Sequence, residues 1–178
     1  MSEGSPLKDS AAKVPTMGGA HIRWIDAPKT QQNKDILAYI KSLETESRLV
    51  AKAAFNPMKI PKYLPSLYLV EAIDGGRDFC LRLMGNWGVD ILGENHTGKL
   101  FSEVDSLDVE WRCQMFRKVI EKASYMFCLT YVGDKDSVHK VMENLLVPLT
   151  DANGEIKYIL NSFSQVPGRV DDYETGDY

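Results

Sequence analysis

Three histidines, three cysteines and a scatter of carboxylates are the side chains that could do metal or covalent chemistry in this 178-residue chain. A zinc site needs His, Cys or carboxylate ligands at short, fixed spacings. His21, His96 and His139 lie far apart, and the chain has no Cys-x-x-Cys and no His-x-x-x-His. No metal site is expected. Cys80 and Cys128 fall in apolar runs, where a thiol behaves as a small hydrophobe, and nothing in the spacing makes Cys128 and His139 a nucleophile–base pair. There is no Gly-x-Ser-x-Gly elbow, and Gly85-Asn86-Trp87-Gly88 lacks the Lys and Ser/Thr of a phosphate loop. The acid pairs Asp134/Asp136 and Asp171/Asp172 sit in a turn and a tail, where solvation explains them. The chain therefore reads as a non-enzyme.

Composition narrows the class further. The net charge of −4 argues against a nucleic-acid partner, which calls for a basic footprint. With 44% hydrophobic and 26% charged residues the chain has globular usage, and its length suits one domain with tails. No apolar run approaches the roughly 18 residues that cross a bilayer, and residues 1–20 have no signal-peptide core. Three cysteines, an odd number, do not suggest a disulfide framework, so the cytoplasm is the expected compartment.

Periodicity supplies the elements that must position any site. Residues 1–33 show no sustained pattern and read as a mobile amino-terminal arm. Its one apolar patch, Ile22-Arg23-Trp24-Ile25, could dock on the domain or on a partner. The folded body is expected over 34–166, and 167–178 form an acidic tail. Ile36, Tyr39, Ile40 and Leu43 fall at i, i+3, i+4 and i+7, which predicts an amphipathic helix capped by Asn33 and ending near Val50. Pro57, Pro61 and Pro65 allow only short helical turns before residue 67. Two strands follow, 67–73 and 78–84, joined by Asp74-Gly75-Gly76-Arg77, whose glycines suit a tight hairpin. A helical stretch over 85–124 comes next, with a short helix at 86–92, turns at 93–98 and 100–104, and a longer helix at 107–122. Strands at 125–132, 138–149 and 156–166 complete the chain, joined by turns at 133–136 and 151–154.

Helix, two strands, a helical crossover and a three-strand meander make an α+β fold. Its five-stranded, mostly antiparallel sheet needs one face covered by the crossover. The first helix can cover the other face or pair with another subunit. The order of elements, together with Asn56-Pro57, Ile60-Pro61, Leu64-Pro65, Asp78-Phe79, Leu81-Arg82-Leu83-Met84-Gly85, Gly93, Thr97-Gly98-Lys99-Leu100 and the 151–154 turn, resembles the PAS fold. It is similar in particular to the stand-alone PAS-like proteins common in alphaproteobacteria. The resemblance covers about residues 36–163 and implies a sensory or protein-binding domain. Some PAS domains hold haem through a helical His, and His96 lies in the matching crossover. Between Asn95 and Thr97, however, it reads as a turn residue. A photoactive flavin in this fold needs an Asn-Cys-Arg type motif, and here Cys113 stands in Trp111-Arg112-Cys113-Gln114, so none is expected.

Phe79, Leu81, Leu83, Trp87, Phe101, Met115, Phe116, Val119, Phe127, Leu129, Leu145 and Leu160 are expected to line the interior between sheet and crossover, as core or as a ligand pocket. Trp87 and Trp111 carry N–H groups that seek partners when buried. Asn161 is the polar strand residue singled out, since PAS cavities commonly orient a ligand with one amide. Arg82 should face away from Phe79 and Leu81, either exposed or paired with an acid such as Glu143. A buried His139–Glu143 or Arg82–Glu143 pair in an open pocket would mark an enzyme. The favoured expectation is a bacterial sensor that binds a small apolar or amphipathic ligand, or a signalling protein such as a histidine kinase, and acts in trans. Ile36, Tyr39, Ile40 and Leu43 are the surface proposed for a partner or a homodimer. The alternative is a ligand-free interaction module.

Overall fold

The computed structural model describes residues 22–104, 109–132 and 140–167. Most of the expected arm, the carboxy-terminal tail, His21, His139, Asp134, Asp136 and the 133–136 turn lie outside the described residues. Among those described, the strands are β1 (Arg23–Ile25), β2 (Val50–Ala51), β3 (Leu67–Ile73), β4 (Asp78–Met84), β5 (Met126–Val132), β6 (Lys140–Thr150) and β7 (Ile156–Val166). The helices are α1 (Gln31–Lys41), α2 (Asn86–Leu92) and α3 (Val109–Lys122). All the strands join one sheet in the order β1-β5-β6-β7-β3-β4, with β2 running parallel to the end of β6. The five expected strands form its antiparallel body, and β1 and β2 are short additions.

These additions revise the expected boundaries. The apolar patch at 22–25 docks on the domain: Arg23, Trp24 and Ile25 pair with Leu129, Cys128 and Phe127, and Lys118 sits over the Trp24 ring. The first helix begins earlier and ends sooner than its stripe suggests. Its cap is Thr30, whose side chain accepts from the Asn33 backbone N–H, while Asn33 itself lies inside the helix, fully buried. It stops at Lys41 because the Ser42 hydroxyl donates to Tyr39 O in place of continuing the ladder, and Arg48 turns the chain with φ of 58°. Residues 50–51 then extend into β2.

Each face of the sheet carries its own core. The crossover side holds Val70, Phe79, Leu81, Phe101, Met115, Phe116, Val119, Cys128, Leu146 and Ile159. The opposite side packs Ile36 and Ile40 of α1 on Leu67, Leu69, Leu145, Val147, Leu149 and Leu160. α1 covers the face opposite the crossover and buries the inner half of this stripe within the chain. Ile36 and Ile40 are fully enclosed, with Tyr39 and Leu43 packed partly against the same core.

β4 changes faces midway. Leu83 pairs with Leu69 but Leu81 pairs with Val70, so Arg82 is an extra residue, a bulge. Across a bulge the period-two alternation reverses. Phe79 and Leu81 therefore point to the crossover, and Leu83 points to the α1 side.

Candidate functional site

The bulge and the strict alternation of β5 to β7 divide the expected pocket residues between the two faces. Phe79, Leu81, Phe101, Met115, Phe116 and Val119 share the crossover side. Leu83, Phe127, Leu145 and Leu160 belong to the α1 side, as does Leu129, two residues along β5 from Phe127 in unbroken register. These five line the second core rather than a sheet–crossover interior. Trp87 also departs from expectation. α2 leaves it 44% exposed, with its ring 6.3 Å from that of Phe163.

Much of the crossover side is filled by aromatic packing. The Phe79, Phe101 and Phe116 rings lie 5.2–6.1 Å apart in tilted pairs, tying β4 to the turn at 101–103 and to α3. Beside this block the same face turns polar. Asn161 of β7 and Asn144 of β6 are both buried, and Asn161 Nδ2 donates to Asn144 Oδ1 at 3.1 Å. Asn144 Nδ2 in turn donates to Thr130 Oγ1 at 2.8 Å and to Met142 O at 3.2 Å. On the other flank, Tyr68 stands opposite Asn161 in the β3–β7 register, and the Arg112 charge lies near its hydroxyl. Burial pushes the Tyr68 phenol up; the nearby Arg112 charge and the polar Asn161 side chain only partly oppose that. The Tyr68 ring meets Phe116 edge-on at 6.3 Å, and Cys128 Sγ lies 3.7 Å from Met115 Sδ.

Two atoms of this array have no partner. Asn161 Oδ1 and Arg112 Nε are both buried without a hydrogen bond. Leaving such a group unmet costs about 1–3 kcal/mol, so native proteins seldom do so without a reason. Asn161 was legible as a lone amide in an apolar strand. Tyr68, Arg112, Asn144 and Thr130 were not, because only the register brings them onto one face.

The remaining candidates fall elsewhere. His96 is buried, 2% exposed, although its neighbours read as a turn; neither ring nitrogen has a hydrogen bond, and Nδ1 lies 3.5 Å from Glu94 Oε1. Arg82 pairs with Glu71 at 2.5 Å, not with Glu143. Glu143 instead holds the start of α1, accepting from Lys29 N, Thr30 N, Thr30 Oγ1 and Asn33 Nδ2. Among the described residues no cluster of His, Cys, Asp and Glu is placed to hold a metal ion.

The stretch that builds this sheet and its helical crossover, residues 28–163, is matched by a family profile described as a PAS domain. The chain belongs to the PAS domain family. PAS domains are a sensory and signalling module fold, generally non-enzymatic. No curated protein matches. Among solved structures, the PAS domain of BvgS from Bordetella pertussis is 15% identical with a TM-score of 0.44, over 64% of this chain and 89% of that one. A light-oxygen-voltage domain studied with a flavin analogue is 15% identical with a TM-score of 0.45, covering 66% and 87%. A sensory box histidine kinase/response regulator from Burkholderia thailandensis is 11% identical at 0.37, covering 62% and 85%. No described helix of this PAS domain is long and apolar enough to cross a membrane.

Proposed function

We propose that this PAS domain is a bacterial sensor that binds a small ligand between the sheet and α3 and passes its state to a signalling protein by contact. The supporting observation is the buried Asn161 amide, whose carbonyl faces the crossover side without a partner while its N–H₂ is engaged by Asn144. A donor on a bound molecule would remove that deficit, and the apolar residues around it would bury the rest of the ligand. The reading as a bacterial member acting in trans rests on the motif resemblance over residues 36–163, and a histidine kinase is the partner class it suggests.

The test is native mass spectrometry of the purified chain beside denaturing mass spectrometry, with an absorbance scan of the same sample. A bound mass lost on denaturation supports the ligand reading. The second reading, a ligand-free interaction module, is favoured by the large exposed side chains Trp87 and Met58. A clean apo mass, together with Trp87→Ala abolishing capture of a histidine kinase, would establish that reading instead. A homodimer through the α1 stripe would use Tyr39 and Leu43, the members left partly exposed beside the buried Ile36 and Ile40; light scattering at micromolar concentration tests it, and a monomer that Leu43→Asp leaves unchanged would rule it out.

A further inference from the structure

The polar array has a definite sense of donors and acceptors, and that sense names a ligand class. Met142 O can only accept, so Asn144 must turn its N–H₂ toward it and toward Thr130. Asn144 Oδ1 then faces Asn161, which must answer with its own N–H₂. The orientation of Asn161 is thereby fixed, and its Oδ1 is a buried acceptor without a hydrogen bond.

Arg112 presents the opposite need. Its Nε is a buried donor without an acceptor, and no carboxylate of the described residues pairs with its guanidinium. The group rests instead over the Trp111 ring, 4.6 Å from its centroid. Tyr68 stands between the two deficits: it is opposite Asn161 in the β3–β7 register, its ring meets Phe116 of α3, and the Arg112 charge lies near its hydroxyl.

Resting on the ligand-sensor reading above, we propose that this site takes an organic acid that carries a hydrogen-bond donor beside its carboxylate and an apolar body. The carboxylate answers Arg112 Nε and the Tyr68 hydroxyl, and the adjacent donor answers Asn161 Oδ1. The hydrocarbon lies against Met115, Phe116 and Cys128. A bare oxyanion with no proton to donate, such as sulfate, suits the site poorly, because Asn161 Oδ1 repels an acceptor placed against it. A purely apolar ligand leaves both deficits unmet.

The test is calorimetric titration of the full chain with a matched set of probes: 2-hydroxy-4-methylpentanoate, 4-methylpentanoate, 4-methylpentane-1,2-diol and inorganic sulfate. The hydroxy acid is expected to bind roughly tenfold or more tighter than each of the others, the worth of one hydrogen bond to a charged group. Tyr68→Phe keeps the ring that packs on Phe116 and should weaken the hydroxy acid while leaving the diol nearly unchanged. Arg112→Gln should erase the preference for acid over diol, and Asn161→Ala the preference for hydroxy acid over its deoxy analogue. If the deoxy acid or the diol binds as tightly to the unmodified chain, or if native mass spectrometry reveals a ligand without a carboxylate, the class is wrong while the sensor reading stands. If no probe binds at millimolar concentration and no adduct is present, both fall together.

Discussion

Arg82 Nε lies 2.5 Å from Glu71 Oε2, and Arg82 is the extra residue of the β4 bulge. A second bulge mirrors it on the other flank of β3. There β7 steps past Lys157 between the pairs Leu149–Tyr158 and Thr150–Ile156, and Lys157 Nζ lies 3.0 Å from Glu71 Oε1. Two irregularities in the strands on either side of β3 thus aim two cations at one carboxylate. Burial alone would raise the Glu71 carboxyl, but hydrogen bonds and charges from Lys157 and Arg82 outweigh it and hold it below its ordinary value of 4.5. A carboxyl depressed in the folded state stabilises the fold above its unfolded value, and that contribution is lost as pH falls through the folded one. Urea midpoints measured from neutrality into acid should therefore decline below about pH 4.5 more steeply for the parent than for Glu71→Gln. Parallel curves would remove this pair from the stability of the domain.

The same bulges show where reading the chain stopped short. Period-two alternation located β3 and β4 to the residue, because Val, Ile, Leu and Phe dominate them and Gly75 and Gly76, at φ of 69° and 89°, supply the turn. Alternation cannot announce an inserted residue, so by period two alone Leu83 falls on the crossover side with Leu81. β1 and β2, of three and two residues, are too short to carry a period. Asn161 stood out as a polar residue in an apolar strand. The residues around it, Tyr68, Asn144 and Arg112, come from three other elements, and only the pairing of Tyr68 and Leu146 with Asn161 brings the strands together. Glu143 looked like a partner for Arg82 because both are charged strand residues. Nothing in sequence tells which face or which neighbour will claim a buried carboxylate.

Gly85 is required for space rather than for backbone freedom. Its φ of −70° is open to any residue, yet a Cβ there would sit 2.4 Å from the carbonyl oxygens of Leu64 and Pro65. Those oxygens belong to the backbone entering β3, which Gly85 N already anchors through Leu67 O at 2.8 Å. Gly85→Ala is expected to cost about 1–3 kcal/mol by overpacking, without changing the helical content of α2. Chemical denaturation with far-ultraviolet dichroism reads both quantities. An unchanged midpoint would mean that the 61–66 turn gives way freely.

The thiols are buried and should be chemically quiet. Burial pushes Cys113 up to about 11, and burial with the nearby Glu143 charge pushes Cys128 higher still. Thiolate, not thiol, is the nucleophile. Iodoacetamide at neutral pH should therefore modify Cys113 and Cys128 at least about a hundredfold more slowly in the native chain than in urea, given pKa values well above the ordinary 8.5. Peptide mass mapping over time follows each site separately. Rapid native labelling of Cys128 would show that the sheet–α3 interior opens far more often than its packing implies.

Glu143 and Asn144 are adjacent in β6 and serve opposite faces of the sheet. Asn144 joins the polar array under α3, while Glu143, fully buried, gathers the first donors of α1. β7 repeats the arrangement: Asn161 faces the array, and the next residue, Ser162, donates to Asn33 Oδ1 at 2.7 Å. The start of α1 is thus held by the residues next in sequence to those of the candidate ligand site. Glu143→Gln keeps the shape but replaces one acceptor oxygen with a donor facing the Lys29 and Thr30 amides. Buried donors left facing a donor lose their bonds and are not resolvated, a cost of about 3 kcal/mol or more. The expected result is a lower denaturation midpoint, with faster amide exchange at residues 29–34 and little change at Leu145 to Val147. If exchange at the helix start is unaltered, the carboxylate is not what fastens α1 to the sheet. If instead the whole of β6 exchanges faster, the two faces are one cooperative unit, and a ligand at Asn161 would tighten α1 through the same strands.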